Sequence, residues 1–153
     1  MAREPGAGGS APKTKVLFLC TGNSCRSQMA EGLARRLGGA RIESHSAGVM
    51  AAGVNPLAAE VMGELGIDIS GQWSKDVSEV EELEPDIVIT LCGYAQSQCP
   101  EFAAAKVKEH WPTDDPSQTY GTRAELLPRF RATRDELAAK IRAFLDRLPP
   151  GVR

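Results

Sequence analysis

Cys20-Thr21-Gly22-Asn23-Ser24-Cys25-Arg26-Ser27 lies between two stretches of different periodicity. Ahead of it, residues 15–19 (Lys-Val-Leu-Phe-Leu) make a short apolar run of the kind that fills a buried parallel strand. Behind it, Met29, Ala30, Leu33, Ala34 and Leu37 fall on one helical face, and Gly38-Gly39 ends the pattern. A loop that leaves a strand and opens a helix aims free backbone N–H groups at one point, where the helix dipole also favours negative charge. Gly22 and Asn23 can accept the positive φ values that such a cradle demands. Arg26 adds a planar fork of donors for two oxygens of a tetrahedral anion. The same groups favour a thiolate, so Cys20 reads as a nucleophile, and Ser27 can donate a hydrogen bond to its sulfur. Thr21, Gly22, Asn23, Ser24, Cys25, Arg26 and Ser27 are thus the candidate oxyanion binders. The plainer alternative is a tight turn with a small buried cysteine.

Strands and helices alternate outward from this loop. Residues 41–46 read as a second strand, and Asn55-Pro56 opens a helix that carries Leu57, Val61, Met62 and Leu65 and ends at Gly66. A short acidic helix is expected near 76–83, ahead of Pro85. Residues 86–91 (Asp-Ile-Val-Ile-Thr-Leu) form the clearest strand and run directly into Cys92, and 106–110 read as the last strand. A C-terminal helix places Leu126, Phe130, Leu137, Ile141, Phe144, Leu145 and Leu148 on one face. Thr122 and Glu125 have capping-box spacing, but Pro128 leaves the start of that helix open. The alternation predicts one α/β domain with a mostly parallel sheet.

Composition narrows the function classes. Of 153 residues, 42% are hydrophobic and 25% charged, a globular balance with room for one core, here assigned to residues 14–153. Residues 1–13, rich in Gly, Ala, Pro and Ser and without an apolar stretch, read as a disordered tail and not as a signal peptide. A net charge of −2 gives no case for nucleic acid or an anionic membrane, and no apolar run is long enough to span a bilayer. A cytoplasmic monomer is the expectation. In a reducing compartment Cys20, Cys25, Cys92 and Cys99 point to redox or catalytic chemistry rather than structural disulfides. Their spacings do not match a zinc knuckle, and neither a metal nor a cofactor is expected.

The string Cys-Thr-Gly-Asn-Ser-Cys-Arg-Ser-Gln-Met-Ala-Glu-Gly over 20–32 resembles the phosphate-binding loop of low-molecular-weight tyrosine phosphatases, and most closely that of the thioredoxin-coupled arsenate reductases sharing their fold. The resemblance continues in Ser46-Ala47-Gly48, Val54-Asn55-Pro56, Thr90-Leu91-Cys92, Cys99-Pro100 and His110-Trp111…Asp114-Asp115-Pro116. It implies a four-stranded parallel sheet flanked by helices, arsenate as substrate with phosphate or sulfate as analogues, and thioredoxin as reductant. Asp115, before Pro116, looks like the family's general acid, with Asp114 as the fallback. Some family members bind potassium behind the loop through side chains that match Asn23, Glu31 and Ser46, but unbroken spacing places Lys75 where their fourth, acidic ligand stands. A built-in ammonium in place of the ion is expected.

A phosphatase needs Cys20, Arg26 and an acid; it does not need Cys92 and Cys99. Arsenate reduction consumes two electrons, which a second and a third thiol can supply. Cys92, at a strand's C-terminal end, is placed to reach Cys20, and in the reductases this chain resembles, that is its role. Cys99 would then resolve Cys92. Seven residues of helix separate Cα atoms by ~10 Å, whereas a disulfide needs less than about 7 Å, so the 92–99 segment would have to unwind. Cys25 reads as a structural thiol, His45 as structural, and Trp111 as either a site wall or a core aromatic, with Tyr120 the other aromatic candidate. A phosphatase is the alternative function, and a thiol redox switch or arsenic-binding regulator the third.

Overall fold

Apolar stretches of alternating period fold into a parallel sheet of order β2-β1-β3-β4, built from β1 (Thr14–Cys20), β2 (Ile42–Gly48), β3 (Ile87–Thr90) and β4 (Val107–His110). The helices are α1 (Arg26–Gly38), α2 (Pro56–Gly63), α3 (Gly93–Gln98) and α4 (Arg123–Arg147). The computed structural model describes residues 13–118 and 120–148, so the expected N-terminal tail, Lys13 apart, lies outside the described residues. The α/β class and the four-stranded parallel sheet are as expected.

Both faces of β1 are buried because its side chains alternate between two cores. Val16 and Phe18 join Met29, Leu33, Val61, Phe130, Leu137 and Ile141 on one side, beneath α1, α2 and α4. Leu17 and Leu19 meet Val88, Ala95, Val80 and Phe102 on the other. Trp111 belongs to the first core, edge-on to Phe144 and tilted against Phe18, so it is a core aromatic rather than a wall of the site.

One local expectation needs correction, and two that were open become definite. α2 stops at Gly63, a turn before Gly66: the Met62 carbonyl receives both Leu65 N and Ile67 N, and Gly66 takes φ 73°. Leu65 is therefore exposed and Ile67 fills the core in its place. The acidic segment forms a 3-10 helix, Val77–Leu83, capped by a box between Asp76 and Glu79. Pro128 sits inside α4, which begins with the Thr122–Glu125 capping box. The proline removes only a donor to the Ala124 carbonyl, in the exposed first turn, so the helix tolerates it.

This topology sets the site. β1 has β2 on one side and β3 on the other, so Cys20 ends a central strand at the carboxyl edge, where open α/β sheets gather ligands. Cys92 follows β3, and the 111–118 segment follows β4, at the same edge.

Candidate active site

A loop cradles an anion only if its carbonyls turn away, and here each has an outward donor. Cys20 O receives Val49 N (3.3 Å), Thr21 O receives Met50 N (2.8 Å), Gly22 O receives Ala52 N (2.9 Å), and Ser24 O receives Asn55 N (3.0 Å). Ser74 Oγ also donates to Gly22 O (3.0 Å), and Gln28 Nε2 to Asn23 O (3.2 Å). In a planar trans peptide the N–H points opposite to the C=O, so residues 21–25 aim their N–H groups inward. Cys25 is the N-cap of α1 and its side chain makes no capping bond, so among the described residues the first-turn amides are open to a ligand. Of the two residues able to accept it, Asn23 holds the positive φ, 49°, and Gly22 is not in the left-handed region. Gly48 packs against the loop so tightly that a Cβ would lie 2.7 Å from Asn23 N and from Thr21 O.

Cys20 is buried, with its Sγ 2.8 Å from Ser27 Oγ. Asn23 Nδ2 donates to both Ser27 Oγ (2.8 Å) and Ser46 Oγ (2.9 Å), and Ser46 donates to Glu31 Oε1 (2.6 Å). Behind them the buried Lys75 ammonium lies 3.8 Å from Glu31 Oε1, bonds Trp73 O (2.9 Å) and sits over the Trp73 ring. Thus Asn23, Glu31, Ser46 and Lys75 converge at one place behind the loop.

Arg26, also buried, donates through Nη1 to Thr113 O (2.9 Å), with Nη2 3.5 Å from Asp115 Oδ2. Burial works to raise the Asp115 pKa, but hydrogen bonds from Ser117 Oγ and N, and the Arg26 charge, outweigh it and hold the carboxyl below its usual range. Asp115 thus reaches the cradle through Arg26. His110 bonds Thr90 Oγ1 (2.7 Å) and His45 bonds Glu43 (2.8 Å). Tyr120 is wholly exposed.

All four cysteines are free thiols. Cys92 is the N-cap of α3: its sulfur accepts Ala95 N (3.4 Å) and lies 3.2 Å from Thr21 Oγ1, at the rim of the loop. Cys99 is the C-cap of the same helix, half-buried, and its thiol pKa is pushed up by desolvation, with Lys108 opposing and Glu101 reinforcing. Cys25 is buried inside the loop, and desolvation lifts its thiol to about 11, which keeps it protonated at neutral pH.

The model of the low-molecular-weight phosphotyrosine protein phosphatase family matches residues 15–151. The chain belongs to that family. Among its members, an arsenate reductase from Halalkalibacterium halodurans is 45% identical over 134 residues, which cover 88% of this chain and 96% of that protein. A solved arsenate reductase in its phosphate-binding state superposes with a TM-score of 0.77 at 36% identity, covering 89% of this chain and 99% of that one. A thioredoxin-dependent arsenate reductase from Corynebacterium glutamicum superposes at 0.62 with 28% identity, covering 87% of this chain and 64% of that one.

Some contacts of this family member are absent from the sequence reading. Gln28, Gln72, Ser74, Thr113 and Ser117 all hold loop or acid, and only Ser117, two residues after Asp115, carries a local signal, the spacing of an Asx turn.

Proposed function

We propose that the protein reduces arsenate to arsenite through a relay of Cys20, Cys92 and Cys99 that thioredoxin recharges. The observation that carries this reading is the 3.2 Å contact between Thr21 Oγ1 and Cys92 Sγ, which sets a second thiol at the rim of the oxyanion loop. The names of the relatives support the substrate, and the Corynebacterium glutamicum protein supports the reductant.

Arsenate binds to the inward N–H groups and Arg26, with phosphate or sulfate as competing analogues of the same shape. The Cys20 thiolate attacks arsenic, one As–O bond breaks, and Asp115 protonates the leaving oxygen. Asp115 is ionised while Arg26 faces it, so its proton comes with the substrate. A monoanionic arsenate draws Arg26 to itself, weakens the hold on the carboxylate and passes it a proton. The Cys92 thiolate then attacks Cys20 Sγ. An S–S bond forms, the S–As bond breaks, and its electron pair stays on arsenic, which leaves as arsenite. Cys99 attacks Cys92 in turn, freeing the Cys20 thiolate and moving the disulfide to α3, where the two thiols of thioredoxin reduce it.

Lys75 supports the expectation that no potassium ion is needed: its ammonium already faces Glu31, and a second cation there would be repelled. Hydrolysis of a phosphocysteine by water needs only loop and acid, so weak aryl phosphatase activity accompanies the main reaction.

The test supplies arsenate, thioredoxin, its reductase and NADPH to wild type, Cys92→Ser and Cys99→Ser. The relay predicts NADPH oxidation in wild type alone. Equal turnover in all three, or aryl phosphate hydrolysis as the dominant activity, would overturn it.

A further inference from the structure

Gln28 stands in the first turn of α1, yet it is wholly buried. A buried amide is tolerated only when bonded. Its Nε2 faces Asn23 O (3.2 Å), Asn23 Oδ1 (2.9 Å) and Trp73 O (3.0 Å), and its Oε1 accepts Gln72 Nε2 (2.7 Å). Gln72 Nε2 also reaches Gln28 O (3.0 Å), while Gln72 Oε1 is buried with no hydrogen-bond partner among the described residues. Gln72 is therefore held there as a donor, locking the Gln28 amide in one orientation.

The loop carbonyls show what that orientation does. Those of Cys20, Thr21, Gly22 and Ser24 each receive a backbone N–H from the 49–55 segment. Among the described residues, no backbone N–H reaches Asn23 O, and its donor is Gln28 Nε2. The Asn23–Ser24 peptide therefore depends on a side chain for the bond that its neighbours receive from backbone. A flip would point Asn23 O inward, as an acceptor in a site built of donors.

We propose that Gln28 is a positioning residue for oxyanion capture: it holds the Asn23–Ser24 peptide so that the Ser24 N–H faces the bound anion. This rests on the reading of the loop as an oxyanion site. Gln72 fixes the Gln28 amide, and the 72–76 strap completes the clamp, with Ser74 Oγ on Gly22 O and Lys75 N on Asn23 Oδ1 (2.8 Å). Gln28→Glu is nearly isosteric and, at a pH that ionises its carboxyl, has no hydrogens to give, and Gln28→Met keeps the volume without either polar group.

Titration of 15N-labelled protein with inorganic phosphate tests this, read at each loop amide. In wild type the Ser24, Arg26 and Ser27 amides should all shift. In Gln28→Met the Ser24 response should vanish while those of Arg26 and Ser27 persist, with phosphate affinity down at least tenfold. Gln28→Glu should lose affinity further, and Gln72→Met should give a partial loss in the same order of amides. Should Gln28→Met fail to fold, Gln72→Met alone decides, since its amide lies on the strap outside the loop. Wild-type affinity with an intact Ser24 response in every folded variant overturns the proposal. A wild-type protein whose loop amides ignore both phosphate and arsenate overturns the oxyanion reading itself, a different result.

Discussion

Replacing Gly93 with alanine should slow the passage of oxidation from Cys92 to Cys99 without touching arsenite release. Cys92 and Cys99 cap opposite ends of α3, a separation of ~10 Å at the helical rise, so a disulfide limited to about 7 Å forms only after the helix opens. Opening costs little here, because Ala95 is the helix's only buried residue. Gly93 has no positive φ, and a Cβ on it would meet nothing within 4 Å. Alanine therefore favours the helical state by about 0.5–1 kcal/mol with no clash to offset it. If the open segment is the reacting form, the second exchange slows by about two- to fivefold, since RT is about 0.6 kcal/mol. The Cys92–Cys99 reduction potential should rise by about 10–20 mV, because the dithiol state is the one stabilised. Quenched single turnovers with one equivalent of arsenate, followed by mass mapping of disulfides, separate the two exchanges. An unchanged or faster second exchange in a variant with more helical α3 would refute the requirement for unwinding.

Three further outcomes follow from the geometry. Gly48→Ala drives a Cβ into Asn23 N and Thr21 O; it should cost about 1–3 kcal/mol of stability and, because a ~1 Å displacement of a cradle costs about a hundredfold, lower arsenate turnover by roughly tenfold, measured by thermal melts and coupled kinetics. Turnover should be equal in sodium and potassium buffers of one ionic strength, because Lys75 faces Glu31; potassium stimulation that disappears in Glu31→Gln would contradict this. The Cys99 thiol, raised by desolvation and eased by Lys108, is mostly protonated at neutral pH, so the second exchange should accelerate as pH rises. Lys108→Met should move that acceleration to still higher pH in the same single-turnover assay.

The loop and its flanks are legible in the sequence because the apolar period changes from strand to helix across Cys20–Ser27, which contains Arg26; Gly48 and the Asp-Pro at 115–116 are legible only through the resemblance to the family. Leu65 is misread because helical periodicity continues past Gly63, although the backbone turns there to give its core position to Ile67. The acidic 76–83 segment signals its cap correctly, yet periodicity does not distinguish a 3-10 helix from an α-helix over so short a run. Gln28 and Gln72 are invisible because a polar residue reads as solvent-facing; 44 positions apart in the chain, they become buried partners only when the 72–76 strap passes behind the loop. The convergence of Asp115 on Arg26 likewise depends on β4 lying beside β3. For Trp111 the sequence leaves a site wall and a core aromatic equally open, and Phe18 and Phe144 hold it in the core.

The relay's central claim is that Cys92 attacks the sulfur of Cys20 while arsenic is still attached. Treating Cys99→Ser with one equivalent of arsenate, alkylating, and mapping the peptides tests it directly. The relay predicts one arsenite released per protein and a Cys20–Cys92 disulfide, with Cys25 recovered alkylated on denaturation. No arsenite, or a disulfide between Cys20 and Cys25 in its place, would contradict it.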